Sequence, residues 1–202
     1  MTHLRSLLLA WVTSMTLVPP AHGQTTERAT EVTPALVCTV AHALRQPWQA
    51  DRCQAVAAAL ETTREPATML AIAVLESDMR PHAVAWHGRR LADIGLMGIR
   101  CRLGARRTCE NGPAKGKTLA QLKDPVVSVM VAEEVMRWKR ARVGHRRAVA
   151  AYAGDADGSS GRTADVGAIV AAFSGRELWV KSQRARELAR KIAAAVRMGK
   201  RS

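Results

Sequence analysis

Residues 70–84 read LAIAVLESDMRPHAV, an apolar run that meets an acid and a serine and is then broken by a proline. Pro66 suits the first turn of a helix, and we predict a helix from there to about Ser77. One face of this helix carries residues spaced i, i+3, i+4 and i+7: Met69, Ile72, Ala73 and Glu76. Desolvation and the negative end of the helix dipole both disfavour a charged carboxylate there, so we predict a raised pKa for Glu76. A carboxyl group of this kind suits a general acid near neutral pH.

Start and stop signals predict further helices on both sides of this stretch. Thr33-Pro34 and Asp124-Pro125 each pair a capping side chain with a proline at the first helical position. The additional predicted helices cover residues 34–45, 51–62, 125–143 and 177–198. The third of these has an apolar stripe formed by Val127, Val131, Val135 and Trp138.

The segments between these helices have no regular periodicity. Residues 82–117 are rich in glycine, and we predict them to be irregular. Residues 147–153 form a short apolar segment with the only tyrosine, Tyr152, and residues 154–161 form a polar loop. No segment alternates convincingly as a strand does, and aromatic residues make up only 3% of the chain. The predicted fold is therefore mainly α.

Residues 1–23 have the features of an export signal. Leu7–Leu17 is an apolar run after a weakly basic start, and small residues before Gln24 offer a cleavage point. The run is shorter than the roughly 20 residues that a membrane-spanning helix needs. We predict a signal peptide and a protein secreted across the inner membrane, periplasmic or extracellular. An uncleaved membrane anchor is the alternative.

The four cysteines fit an oxidising compartment. Cys38, Cys53, Cys101 and Cys109 show no CxxC spacing, so we expect no metal site, and the six histidines are scattered. Two disulfides are expected, in any of three connectivities. Cys38–Cys53 with Cys101–Cys109 is favoured because each pair closes a short loop. Free buried thiols remain the alternative, and no cofactor is expected.

The formal net charge of the 202-residue chain is +14. Such an excess favours anionic partners: nucleic acid, lipid head groups or the acidic polymers of a cell envelope. With an export signal, envelope polymers are the expected class and nucleic acid is not. A basic surface that only aids solubility is the alternative.

Four stretches in this order resemble the catalytic domain of the soluble (SLT-type) lytic transglycosylases, in the lysozyme-like superfamily. Residues 70–84 resemble the first signature, an apolar helix ending in Glu-Ser, and 95–99 (GLMGI) resemble the second, Gly-Leu-Met-Gln followed by an aliphatic residue. Residues 122–125 (LKDP) match the Asp-Pro of the next helix, and 150–154 (AAYAG) are similar to Ala-Tyr-Asn-Ala-Gly. The Gln of the second signature is Gly98 here, and the Asn after Tyr152 is missing.

The resemblance divides the chain into four parts. Residues 1–23 are the signal peptide and residues 24–61 an N-terminal helical segment. Residues 62–156 form the catalytic domain, and residues 157–202 form a C-terminal loop and basic helix. The implied fold is a lysozyme-like helical domain with a cleft for a glycan strand.

The resemblance also implies a substrate and a mechanism. Glu76 serves as both acid and base on peptidoglycan: it protonates the glycosidic oxygen between N-acetylmuramic acid (MurNAc) and N-acetylglucosamine (GlcNAc), and the muramic C6 hydroxyl then closes a 1,6-anhydro ring. No second carboxylate is required, unlike in the usual paired-acid glycosidase. Tyr152 is expected to orient Glu76, and Leu96 with Met97 to form an apolar wall. The substrate-binding positions implied by the family are Ser77, Leu96, Met97, Gly98 and Tyr152.

Three other functions are compatible with the sequence. A goose-type-like lysozyme would deliver water to the same bond. A non-catalytic module of the same fold would hold glycan without cutting it, and Gly98 in place of the family's glutamine favours that alternative. A basic protein that binds nucleic acid or membrane through its C-terminal helix would bind with an affinity that falls steeply with salt.

Overall fold

The computed structural model describes residues 30–154 and 161–200, and the predicted signal peptide lies outside them. Within these residues the chain is mainly helical, as predicted, with one small sheet. The elements in chain order are α1 Pro34–Ala43, α2 Ala50–Glu61, α3 Pro66–Ser77, β1 Val84–Trp86, β2 Leu91–Ile94, β3 Ile99–Arg102, α4 Leu119–Lys123, α5 Pro125–Val143, α6 His145–Tyr152, α7 Arg162–Ala172 and α8 Gln183–Gly199.

The helix starts predicted from capping signals are confirmed at two positions. The Thr33 hydroxyl accepts a hydrogen bond from the Leu36 N–H at 3.2 Å and begins α1. The Asp124 carboxylate accepts one from the Val127 N–H at 2.9 Å and begins α5. Each cap satisfies an N–H group that has no partner inside its own helix.

The prediction that residues 82–117 are irregular is wrong in part, because they contain a three-stranded antiparallel sheet in the order β1-β2-β3. Val84 pairs with Ile94, and Ile94 pairs with Ile99. The strands are three or four residues long. A strand of three or four residues has at most two cycles of apolar and polar alternation, which is too few to be recognised in a glycine-rich segment.

The helices after residue 117 also differ from the predictions. The short helix α4 and the helix α7 have no counterpart among the predicted helices, and α6 makes a helix of the segment predicted only as short and apolar. The last helix begins at Gln183 and not at residue 177, because the Ser182 hydroxyl accepts a hydrogen bond from the Ala185 N–H at 3.2 Å. Of the predicted loop 154–161, residues 155–160 lie outside the described part of the chain.

Helix α3 lies at the centre of the core. Residues 69–75 are each at most 3% exposed, so α3 is buried on all sides and not only along the predicted stripe. Helix α7 packs against α3 and α8, and α8 packs against α1. The buried side of α8 is apolar, whereas exposed positions of that helix carry arginine and lysine. Glu76, in the last turn of α3, therefore stands where the core ends.

Two disulfides have the favoured connectivity. Cys38–Cys53 joins α1 to α2, and Cys101–Cys109 joins β3 to the loop that follows it. None of the described helices is long and apolar enough to span a membrane.

Candidate active site

The Glu76 side chain lines a cavity that is bordered by α3, the sheet, the loop after β3, α5 and the end of α6. Its side chain is partly exposed, whereas the residues before it in α3 are buried. The cavity lining comprises Glu76, the sheet residues Asp93, Ile99 and Arg100, Gly98 in the turn before β3, the loop residues 111–113, the α5 residues Val135, Trp138 and Lys139, and residues 151–154.

The raised pKa predicted for Glu76 is confirmed, and burial is its main cause. Desolvation disfavours the charged form, and the negative charge of Asp93 adds to the effect. Arg162, Arg184 and Arg100 act in the opposite direction without cancelling it. No described residue donates a hydrogen bond to the Glu76 carboxyl group. The carboxyl group is therefore kept protonated to a higher pH and is free to meet a ligand.

Asp93 is a second carboxylate in the same cavity, and it is held in its charged form. It stands opposite Arg100 in the β2–β3 register, and the guanidinium donates to it through Nε at 2.9 Å and Nη2 at 3.0 Å. The His87 ring lies 2.7 Å from Oδ2. Burial alone would raise the pKa of Asp93, but the hydrogen bonds from Arg100 and His87 outweigh burial and lower it.

The turn between β2 and β3 lies directly beneath Glu76. The Met97 N–H donates to the Ser128 hydroxyl at 3.1 Å, and the Met97 carbonyl accepts from the Tyr152 hydroxyl at 2.8 Å. The next residue, Gly98, has a φ of 59°, in the left-handed region that favours glycine. Two side chains from different helices thus hold this turn against Glu76.

Three of the six site residues implied by the family resemblance line the cavity: Glu76, Gly98 and Tyr152. Ser77, Leu96 and Met97 are fully buried beneath it. The Ser77 hydroxyl donates to the Ala73 carbonyl at 3.0 Å, within its own helix. Leu96 and Met97 do not form the expected apolar wall, because they are not on the cavity lining; the large apolar side chains there include those of Ile99, Val135 and Trp138.

Tyr152 reaches the cavity with its hydroxyl group bound to backbone and not to Glu76. Burial raises the pKa of the phenol well above its ordinary value, and the negative charges of Glu76 and Asp93 add to this effect. The phenol therefore stays protonated and serves as a donor to the Met97 carbonyl. Its influence on Glu76 passes through the turn that it holds.

The sequence analysis did not identify the cationic and aromatic groups on the cavity lining, and it placed Trp138 only in the apolar stripe of α5. Trp138 is 39% exposed, the Lys139 ammonium lies 5.4 Å from the centre of its ring, and the Arg142 guanidinium lies 3.9 Å from it. Burial lowers the pKa of Lys139, and the positive charges of Arg100 and Arg142 lower it further. The pairing of Asp93 with Arg100 was detectable only once β2 and β3 were set in register.

Metal ligands are not grouped in the part of the chain that the structure describes. No cluster of three or more histidine, cysteine, aspartate or glutamate side chains there has the geometry to hold an ion.

Comparison with protein families shows to which family the chain is similar. The family model described as the transglycosylase SLT domain matches residues 54–162, more than half of the chain. The search of the curated proteins and the search of the solved structures return no significant match.

Proposed function

Because the chain belongs to the transglycosylase SLT domain family, we propose that it is a lytic transglycosylase that cleaves the β-1,4 bond between MurNAc and GlcNAc and leaves a 1,6-anhydro-MurNAc end. Family membership carries the broader statement, a lysozyme-like action on peptidoglycan. The observation that carries the finer proposal is that burial raises the pKa of Glu76, whereas the pKa of Asp93, the other carboxyl group on the cavity lining, is lowered.

Glu76 performs both proton transfers in the proposed reaction. The protonated carboxyl group donates its proton to the glycosidic oxygen as the bond from that oxygen to the muramic C1 breaks. The resulting carboxylate accepts the proton of the muramic C6 hydroxyl while O6 bonds to C1. Glu76 is protonated again at the end, and no water is consumed.

Asp93 is the observation that favours a second candidate, hydrolysis of the same bond. A pair of carboxyl groups is the usual equipment of a glycosidase, and Asp93 lies in the same cavity as Glu76. Both of its oxygens, however, already have partners in Arg100 and His87, and its pKa is lowered. A carboxylate engaged in this way is a weak base toward water, which supports the reaction with one carboxyl group.

The other positions implied by the family resemblance take supporting roles in the proposal. Tyr152 holds the Met97–Gly98 turn against Glu76, and Gly98 forms the cavity floor. Ser77 and Leu96 are fully buried and belong to the packing that supports the site. Trp138 is 39% exposed and on the cavity lining, although the Arg142 guanidinium lies 3.9 Å over its ring, and we propose it as a contact for a sugar.

The proposal places the protein outside the cytoplasm, where the family's cell-wall substrate lies. Export through a signal peptide at residues 1–23 is part of this proposal. Expression of the full chain followed by N-terminal sequencing of the exported product tests it. A mature N-terminus at or close to Gln24 is expected, and a product that keeps residues 1–23 in the membrane would favour the uncleaved anchor.

Digestion of purified peptidoglycan tests the reaction itself. Mass spectrometry of the released muropeptides distinguishes anhydro ends, which resist borohydride reduction, from the reducing ends that hydrolysis leaves. Digestion in heavy-oxygen water adds a second criterion, because only hydrolysis incorporates solvent oxygen. Reducing ends that carry solvent oxygen would identify a hydrolase, and glycan binding without any cleavage would identify a binding module.

A further inference from the structure

Two cationic side chains line the same cavity as Glu76, and one of them has no acidic partner among the described residues. Lys139 projects from α5 and Arg100 from β3. No described carboxylate forms an ion pair with Lys139, which instead contacts the Trp138 ring. Arg100 commits Nε and Nη2 to Asp93, whereas Nη1 donates to no described residue and lies near Gly154, on the cavity lining.

The positive charges of Lys139, Arg100 and Arg142 repel one another. The positive charges of Arg100 and Arg142, together with burial, lower the pKa of Lys139. Cations placed together at partial burial are stabilised by an anion between them, and ammonium and guanidinium groups form their strongest hydrogen bonds with carboxylates. The wall therefore has the chemistry of an anion site that the described residues leave unfilled.

We propose that Lys139 and Arg100 form a carboxylate-binding subsite in the cavity wall that selects the acidic muramyl part of the strand over neutral glycan. This inference rests on the proposed function, because it takes the strand in the cavity to be peptidoglycan. The carboxylate has two possible sources, the lactyl group of a MurNAc without a peptide and the stem peptide of a MurNAc that carries one. The chemistry of recognition is the same for both.

Such a subsite sets the register of the strand. MurNAc and GlcNAc alternate, and acidic groups occur only on the muramyl residues. A carboxylate bound to Lys139 and Arg100 fixes which sugars occupy the positions next to Glu76, so that every bound strand presents the same kind of glycosidic bond. Trp138 lies beside Lys139 and offers its ring to the sugar that carries the bound carboxylate.

Binding measurements on the Glu76→Gln protein test the subsite without turnover. The ligands are a neutral chitin oligosaccharide, amidase-stripped glycan strands with free lactyl carboxylates, peptide-bearing strands, and peptide-bearing strands whose carboxylates are capped as amides. We expect at least one acidic ligand to bind roughly tenfold more tightly than the neutral and the capped ones. That preference is expected to shrink as salt is added.

Variants of Lys139 show whether the preference comes from this wall. Lys139→Gln is expected to remove most of the preference and Lys139→Arg to retain it. Lys191→Gln, on the exposed surface of α8 and outside the cavity lining, is the matched control and is expected to behave like the parent. Circular dichroism of each variant verifies folding, and the capped-strand comparison needs no substitution at all.

The outcomes distinguish the lactyl carboxylate from the stem-peptide carboxylate as the ligand. They also distinguish a failure of the proposed subsite from a failure of the proposed function. Tight binding of stripped strands assigns the site to the lactyl carboxylate, and tight binding of peptide-bearing strands alone assigns it to the stem. Equal affinity for neutral and acidic ligands, or a preference that survives in Lys139→Gln, overturns the subsite. The proposed function fails independently, if the active enzyme releases no anhydro ends from any strand.

Discussion

Gly98 lies directly against the side chain of Glu76, the proposed catalytic group: a Cβ atom built on Gly98 would stand 3.0 Å from the Glu76 Cβ and 3.1 Å from Oε2. Positions of that kind are tighter than nearly all ordinary contacts between side chains. The family resemblance places a glutamine here. In this chain the missing side chain is what gives the Glu76 carboxyl its room, so the conformations of the two residues are coupled.

Gly98→Ala is therefore expected to impair catalysis more than stability. The φ of 59° costs an alanine about 1 kcal/mol, and the new methyl group also displaces Glu76. We expect kcat to fall by at least about tenfold, since a misplaced catalytic group is costly to the reaction. The rate of muropeptide release gives kcat, and thermal unfolding of the same preparation gives the stability.

Gly116→Ala is the matched control for this change. Gly116 has a φ of 84°, and a Cβ placed there would meet nothing within 4 Å, so the variant carries the backbone cost without the collision. The control is expected to lose stability by a similar amount and to keep its kcat. A kcat that falls equally in both variants would show that the contact with Glu76 is irrelevant.

Asp93→Asn is expected to move the alkaline limb of the pH–rate profile to lower pH. The negative charge of Asp93 helps to raise the pKa of Glu76, and the substitution removes it while leaving the positive charge of Arg100 in place. Loss of the Asp93 charge lowers the pKa of Glu76, and the remaining Arg100 charge acts in the same direction, so the Glu76 proton is lost at a lower pH. The measurement is kcat/KM against pH, which reports the free enzyme.

Asp51→Asn provides the control for the pH profile. Asp51 lies exposed in the first turn of α2, outside the cavity. Its substitution is expected to leave the limb where it is. A limb in Asp93→Asn that stays in place, or moves to higher pH, would contradict the electrostatic role of Asp93.

The sequence predicted features that depend on a few neighbouring residues, such as helix starts. It did not predict features that depend on how separate strands pair. Thr33 and Asp124 correctly predicted the starts of two helices, because a cap is a local hydrogen bond between residues three apart. Glu76 was found because a long apolar run led up to it. The strands were missed because each is too short to show its period, and with them the cross-strand partnership of Asp93 and Arg100 was missed.

Helix α7 was missed for a different physical reason. Arg162–Ala172 has alanine, valine and isoleucine on several sides and no side-chain cap at its start, so it shows neither a clear stripe nor a start signal. It forms because it packs against α3 and α8, a tertiary cause that local patterns do not contain. Lys139 was missed likewise, because only the packed structure brings it to the same cavity as Arg100.

The two disulfides are expected to separate stability from activity. Replacing Cys38 and Cys53 by serine removes a crosslink between residues 15 apart in sequence, neither of which lines the cavity, and is expected to cost about 3 kcal/mol of unfolding free energy. The same change at Cys101 and Cys109 releases the loop that supplies residues 111–113 to the cavity. We expect kcat/KM to fall several-fold only in the second variant, measured well below both unfolding temperatures. Equal activity losses would disconnect the loop from substrate binding.

Glu76→Gln is expected to lower activity by about 10²- to 10⁴-fold, the usual contribution of a general acid and base. It is also expected to stabilise the protein at neutral pH. The pKa of Glu76 is raised in the folded state, so the folded protein binds the proton more tightly than the unfolded chain does. The parent protein therefore loses stability as the pH rises from 4.5, the ordinary pKa of the group, to the raised pKa of the folded state. The unfolding temperatures of the two proteins are expected to differ above this pH range and to converge below it.

Glu134→Gln is the companion control, since Glu134 is exposed on α5 and does not line the cavity. It is expected to leave activity unchanged. An active Glu76→Gln protein would remove Glu76 from the mechanism, and a variant that is less stable than the parent at neutral pH would contradict the burial cost.

Tyr152→Phe is expected to loosen the turn beneath Glu76. The substitution leaves the Met97 carbonyl without its 2.8 Å hydrogen bond and is expected to cost about 1–2 kcal/mol of stability. If the hydroxyl group acts by holding the turn, the Ser128→Ala variant should behave alike, because the Ser128 hydroxyl holds the Met97 N–H from the other side at 3.1 Å. Both variants are then expected to lose kcat with little change in KM. A loss confined to Tyr152→Phe would instead place the phenol in direct contact with the reacting sugar, and unchanged kcat in both would show that Glu76 keeps its position without this turn.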